Sequence, residues 1–251
     1  MKYLRNNPRL LLLFTVFFLS SCQTINRSSE ALGIPPYTVI LSFDDGPNAH
    51  SDTTARLLDV LKKYEIHALF SLLGENAEAY PELVRRIHDE GHYIVNHGYS
   101  DKFARRMRDE EFRNNLIIGE KAISAALGEE LFPKLYRPHG GFYSSRQKGI
   151  CSEEGYTLFL SSVRVHDAVL SEAKQGRVVR EIIEKIEENN GGIILLHDDR
   201  DSHFRKEKKL EKNLRGAYDR SWIPQAVEEI IIALLEKGYT FNSSLDQILK
   251  Y

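Results

Sequence analysis

Cysteine is scarce in this chain. Cys22 and Cys151 are the two among 251 residues, so at most one disulfide can form, and a small cross-linked scaffold is excluded. Charge of one sign is not in excess either. With 34 Lys+Arg against 36 Asp+Glu the formal net charge is −2, which leaves no strong positive field to gather nucleic acid or an anionic membrane face. No nucleic-acid partner is expected. Long apolar runs are missing too: residues 10–19, interrupted by Thr15, fall short of the roughly 20 that a membrane-crossing helix needs. What is present suffices to fold, because 42% hydrophobic residues over this length can bury one large core or two small ones.

The first apolar run has a context. Lys2, Arg5 and Arg9 precede it, the order of a secretory n-region and h-region. It leads into Leu19-Ser20-Ser21-Cys22, which resembles a bacterial lipobox. That resemblance implies a signal peptide over 1–21, cleavage before Cys22, lipid on the Cys22 thiol, and an exported lipoprotein of the cell envelope tethered to a membrane rather than crossing it. An uncleaved anchor helix is the alternative. Without residues 1–21 the balance becomes 31 Lys+Arg against 36 Asp+Glu, a formal charge of −5. Residues 22–36, with Ser28, Ser29, Gly33 and the Pro35-Pro36 pair, suit a linker, and a folded domain is expected over 37–251.

Within that domain, apolar runs of strand length alternate with helical patterns. Strands are predicted at 38–43, 67–73, 93–96, 134–137, 156–162, 193–197 and 239–242, with helices at 53–63, 81–90, 109–127, 144–153, 177–188 and 224–237. Pro81 suits a first helical turn, Asp109 an N-cap, and Gly128, Gly191 and Gly238 helix ends. Repeated strand-helix units favour a parallel sheet in a closed or nearly closed barrel, with a doubly wound open sheet as the rival. Both architectures place chemistry at the carboxyl ends of the strands. Asp44 and Asp45 follow the first strand, His97 and Asp101 the third, Arg137 and His139 the fourth; Asp167 lies beyond the fifth, and His197 ends the sixth.

Two adjacent carboxylates at a strand end point in divergent directions, so one can hold a cation while the other faces a water on it. A turn-forming pair is the bland alternative, since Gly46 and Pro47 follow. His97 and Asp101 are four apart, a spacing that puts both on one face of a helical turn, as a chelate requires.

The order of these segments resembles the polysaccharide deacetylases of the NodB-homology type, carbohydrate esterase family 4. Ser42-Phe43-Asp44-Asp45-Gly46-Pro47 is similar to the family's Thr-Phe-Asp-Asp-Gly-Pro signature, and Asn96-His97-Gly98-Tyr99-Ser100-Asp101 to its metal-binding His-x-x-x-His, with Asp101 at the second ligand. Arg137-Pro138-His139-Gly140-Gly141 resembles the Arg-Pro-Pro-Tyr-Gly groove wall, 162–167 the segment ending in Asp-Trp, and Ile194-Leu195-Leu196-His197 the Leu-x-His close. The resemblance implies a distorted (β/α)7 TIM-like barrel and metal-dependent removal of N-acetyl or O-acetyl groups from an acetylated polysaccharide. It implies a divalent ion, zinc first with manganese, iron or magnesium as alternatives, on Asp45, His97 and Asp101. Asp44 becomes the base, Arg137 its partner, His197 the acid and Asp167 its partner. The wall residues His139, Gly140 and Gly141 bound the substrate and oxyanion. A tethered glycan-binding protein with an inactive site is the alternative from another class, and no oligomeric state is implied.

The chain departs from the pattern in three places. Asp101 replaces an imidazole by an anion and favours harder ions beside zinc. Ala168 stands where the family has Trp, and His139-Gly140 where it has Pro-Tyr. His88 and His92 are expected at the surface, and His50 in a loop near the site mouth. Asp198, Asp199, Asp201 and His203 precede a charged run, 205–215, which is expected as a solvated loop and helix over the barrel mouth. Trp222, Tyr99 and Tyr143 could stack on sugar rings; Trp222 could equally pack its helix.

Overall fold

A computed structural model describes residues 34–200 and 218–241. The expected signal peptide, Cys22 and most of the expected linker lie outside the described residues, as do Asp201, His203, the run 205–215 and Asn242. Among the described residues no helix is long and apolar enough to cross a membrane.

Among the described residues eight parallel strands form one sheet: β1 (Thr38–Asp44), β2 (Leu69–Leu72), β3 (Tyr93–Asn96), β4 (Leu135–Tyr136), β5 (Thr157–Leu158), β6 (Val163–Arg164), β7 (Gly191–His197) and β8 (Thr240–Phe241). Their order is β5-β4-β3-β2-β1-β7-β6, and β8 pairs with the start of β1 at Thr38 and Val39. The sheet curls without closing, because β5 and β6 sit at opposite ends of that order and do not pair. The expected strand 156–162 shrinks to β5 at 157–158, and β6 forms just beyond its end at 163–164, across the break that leaves the barrel open. Helices α1 (Thr53–Lys63), α2 (Gly74–Ala79), α3 (Pro81–Asp89), α4 (Asp109–Leu127), α5 (Ser145–Glu153), α6 (Gln175–Asn189) and α7 (Ile223–Glu236) make the connections. The six-residue α2 was not expected from the sequence; it is too short to show a helical period.

Strand alternation divides the interior. Val39, Leu41 and Phe43 of β1 join the core under the helices, with Leu57, Leu61, Ile182 and Ile230. Ile40 faces the other way and packs with Leu69, Val95, Leu135 and Ile193 inside the barrel. Each of these aliphatic side chains is buried, a contribution of roughly 1.5–3 kcal/mol apiece before entropy is charged. The same two-residue period carries the inner layer upward from Ile40 to Ser42 and Asp44, from Val95 to His97, from Leu135 to Arg137 and from Ile193 to Leu195 and His197. Polar groups therefore cluster at the carboxyl pole because each strand delivers the residue two or four beyond its inner apolar one.

Helix ends mostly follow local chemistry. Ser144 caps α5 through a reciprocal box with Gln147, and Pro81 opens α3. Arg108 rather than Asp109 occupies the α4 cap, which places Asp109 in the first turn, where its charge opposes the helix dipole. Asn190 in the left-handed region ends α6, and Gly191 instead opens β7, where a Cβ would lie 2.5 Å from the Thr38 carbonyl oxygen. Gly119 serves α4 similarly: a Cβ there would meet the Gly98 carbonyl carbon at 2.7 Å, so glycine lets the helix rest on the loop after β3. Cys151 is buried, and burial pushes its thiol up to about 12, which makes it a packing residue.

Candidate active site

Register assembles the first wall of the site. Asp44 ends β1 beside Ser71 of β2 and His197 of β7, while His97 and Arg137 directly follow β3 and β4. Arg137 Nη1 donates to Asp44 Oδ1 at 2.6 Å and to Ser42 Oγ at 3.0 Å. Burial would raise the Asp44 carboxyl, but Arg137, with His97 and His197, outweighs it and holds the group below its ordinary value. Asp44 is thereby kept anionic.

Asp45 diverges from Asp44 because its backbone adopts φ +75°, fixed by Asn76 Nδ2 donating to its carbonyl at 2.7 Å. Its Oδ1 is buried with no hydrogen-bond partner, 3.4 Å from His97 Nε2 and 3.7 Å from His139 Nδ1. His97 Nδ1 lies 2.7 Å from the Arg137 carbonyl, to which it can only donate, so the Nε2 lone pair faces Asp45.

Asp101 does not share a helical face with His97. Gly98 has φ +89° and breaks any turn there, and the loop carries Asp101 onward to pair with His139 Nε2. The donor atoms that converge are those of Asp45, His97 and His139, all within 4.8 Å of one another.

The opposite wall is a relay of charge. His197 Nδ1 lies 2.9 Å from Asp167 Oδ1, and the His197 backbone N–H donates to Asp167 Oδ2 at 2.9 Å. Burial alone would lower the imidazole, but Asp167 overrides it and pushes His197 up to about 9. Asp167 is in turn held low; burial opposes this, and His197 and Arg220 prevail. Arg220, fully buried, donates to Asp167 Oδ2 at 2.5 Å, to the Asp167 carbonyl at 3.0 Å and to the His197 carbonyl at 3.1 Å. Arg220 was not legible in the sequence, because its site partners His197 and Asp167 lie 23 and 53 positions away.

Several expectations are corrected here. Asp198 and Asp199, to which the sequence assigned no role, are fully buried: Thr54 Oγ1 donates to Asp198, and Asn76 Nδ2 to Asp199. Burial pushes the Asp198 carboxyl up to about 7, and its oxygens lie 2.6 Å from where a Gly46 Cβ would stand, which is why glycine follows the Asp pair. His92 is buried, whereas His88 is exposed as expected. Trp222 is buried at the start of α7, Tyr143 is buried in a small cluster, and Tyr99 donates to Glu78, so none of the three lines the cleft. His50 sits in a short turn at 50–52, also outside the cleft lining.

The two walls enclose a cleft of about 810 Å³. Where the family pattern has Trp and Tyr, the apolar lining comes from Phe103, Met107, Phe142, Leu160 and Val169. Phe103 rests on Gly140, whose φ is +68° and whose Cβ would lie 2.5 Å from the ring, and it meets His139 edge-on at 5.4 Å. The Gly141 N–H is spent on the Pro138 carbonyl at 2.8 Å, which leaves Gly140 as the wall's candidate oxyanion donor. An anionic base, a protonated acid and a carboxylate-imidazole ligand group in one cleft can together hydrolyse an acyl bond.

Comparison with known proteins agrees with this chemistry. A family model described as polysaccharide deacetylase matches residues 34–159. A peptidoglycan-N-acetylglucosamine deacetylase of Bacillus cereus is 33% identical over 205 residues, spanning 81% of this chain and 65% of that relative. Among solved structures, the Bc1960 peptidoglycan N-acetylglucosamine deacetylase, in complex with an N-oxidanyl-benzamide, superimposes with TM-score 0.66 at 30% identity, covering 86% of this chain and 90% of that one. A family 4 acetyl xylan esterase from Clostridium thermocellum, bound to a cobalt ion, gives 0.67 at 25% identity, covering 84% and 90%. With its barrel, its paired carboxylates and its opposed histidine in place, the chain belongs to the polysaccharide deacetylase family.

Proposed function

We propose that this chain hydrolyses acetyl groups, N-acetyl before O-acetyl, from a polysaccharide of the bacterial envelope, using a divalent ion held by Asp45 and His97. The observation that carries the reading is the pairing of Asp44, kept anionic by Arg137, with His197, kept protonated by Asp167, in one cleft. The ion, when bound, supplies a Lewis acid for the acetyl carbonyl and acidifies water. Asp44 takes a proton from the attacking water, with Arg137 fixing its carboxylate. His197 gives its proton to the departing amine, and Asp167 stabilises the imidazolium until that transfer. The Gly140 N–H is placed to receive the developing oxyanion, beside His139 and Gly141 in the same wall. Zinc suits a carboxylate-imidazole donor set, with manganese, iron and magnesium as the alternatives. Export and a lipid on Cys22, read from the lipobox-like leader, would bring the enzyme to an envelope substrate.

The test is acetate release from N-acetylglucosamine oligomers and from O-acetylated glycans, after metal exchange. Asp44→Asn is expected to keep its metal and lose ~10²–10⁴ in turnover, and His97→Ala to lose both. Equal metal loss in both variants would refute this division of roles. Retention of a glycan by the parent without acetate release would instead identify a binding protein.

A further inference from the structure

The trio of donor atoms does not match the ligand spacing His97-x-x-x-Asp101 in sequence, and the mismatch has a physical pattern. Asp45 Oδ1 and His139 Nδ1 are both buried without hydrogen-bond partners, although buried polar atoms are rarely left so. They face each other at 3.7 Å, and His97 Nε2 lies 3.4 Å from the same oxygen. Ligands at ~2.1 Å around a tetrahedral ion lie about 3.4 Å apart, so the spacing suits one ion between the donors.

Each imidazole, moreover, has its far nitrogen engaged. His97 gives Nδ1–H to the Arg137 carbonyl, and His139 turns Nε2 to the Asp101 carboxylate. Ligating histidines are typically oriented in this way, with the outer N–H on a carbonyl or carboxylate that fixes the tautomer and aims the other lone pair inward. The two rings lie 4.9 Å apart between centroids, tilted by 43°, and Phe103 backs His139 at 5.4 Å. Gly140 permits that backing, since any side chain there would displace the Phe103 ring.

We propose that His139, from the loop after β4, supplies the second imidazole to the metal ion, and that Asp101 is a positioning residue that orients His139 rather than a ligand. The two departures from the sequence pattern are then one exchange: an imidazole is lost at 101 and regained at 139, and the carboxylate left at 101 serves the new ring. The proposal deepens the metal-dependent reading above and rests on it. The donor set becomes one carboxylate and two imidazoles, which restores zinc over harder ions.

The test uses the detergent-purified full chain, stripped and reloaded with zinc alone. Zinc absorption fine structure of the parent should show two imidazoles per ion, and a chromophoric chelator competition gives its affinity. Asp101→Asn, which keeps an acceptor for Nε2–H, should weaken zinc by about 10–100-fold at most. His139→Ala should weaken it by more, as His97→Ala does, and leave one imidazole on any zinc retained. Melting of the stripped variants separates misfolding from ligand loss, and the parent's imidazole count needs no variant. One imidazole in the parent, or His139→Ala binding zinc like the parent while Asp101→Asn fails like His97→Ala, would overturn the proposal and leave the metal-dependent reading intact. A parent that takes up no zinc, manganese or cobalt would overturn both.

Discussion

His197 and Asp44 reach opposite charge states through opposite neighbours, and the difference is open to direct measurement. His197 carries its proton because Asp167, itself pinned by Arg220, offers an anion that burial cannot neutralise. In ion-free protein an NMR titration of His197 should give a midpoint of about 9. Asp167→Asn removes the anion but keeps a hydrogen-bond acceptor, so the midpoint should fall toward the ordinary histidine value, and the acid limb of catalysis should weaken at neutral pH. An unchanged midpoint would show that Asp167 does not set the charge of His197. Arg220→Lys keeps a cation but loses the guanidinium fork that reaches the Asp167 and His197 carbonyls together; a smaller drop is expected there.

Between neighbouring elements, a histidine far from the cleft sets an acid limit on the fold. His92, directly before β3, accepts at Nδ1 from the Ala68 N–H directly before β2 at 3.1 Å, tying the entrances of two strands. Burial, then the nearby His67, lowers His92 to about 4 from an ordinary 6.5. The unfolded chain therefore binds the proton first, so this group's contribution is intact above pH ~6.5 and is lost as pH falls toward 4, on the order of 3 kcal/mol at most. Urea unfolding at pH 7 and pH 4.5 should show a smaller acid loss for His92→Gln than for the parent; equal losses would remove His92 as the cause. This burial was not legible beforehand, because Gly91 placed His92 in a turn and its partner Ala68 is 24 residues away. The same limit governed the active site. Asp44, Asp45, His97, Arg137 and His197 were legible because each sits on or directly after a strand end, where fold class alone predicts function. Asp198, Asp199 and Arg220 were not, since their charges are buried against residues up to 144 positions distant. The helical face expected for His97 and Asp101 did not form because a four-residue spacing implies a shared face only where the backbone is helical, and Gly98 is not.

Across the whole molecule, the polarity of β1 sets the pole at which a lipid-bearing leader would join the fold. The described chain begins at Ile34, buried in the inner barrel cluster at the amino-terminal end of the strands, and Tyr37 N–H donates to the Asn190 carbonyl at 2.9 Å on the same pole. β1 then runs seven residues, about 23 Å, to Asp44 at the cleft. A lipid on Cys22 would thus enter at the pole opposite the site, and the twelve residues 22–33 reach at most about 40 Å. Loss of such a tether should release the enzyme without altering the barrel. Cys22→Ser is accordingly expected to lose palmitate labelling, to move from the detergent phase to the soluble exported fraction, and to retain the acetate release of the parent on a soluble oligomer. Equal membrane retention of variant and parent would replace the lipid anchor by an uncleaved apolar helix over 10–19, because that segment would then hold the chain whether or not a thiol is present.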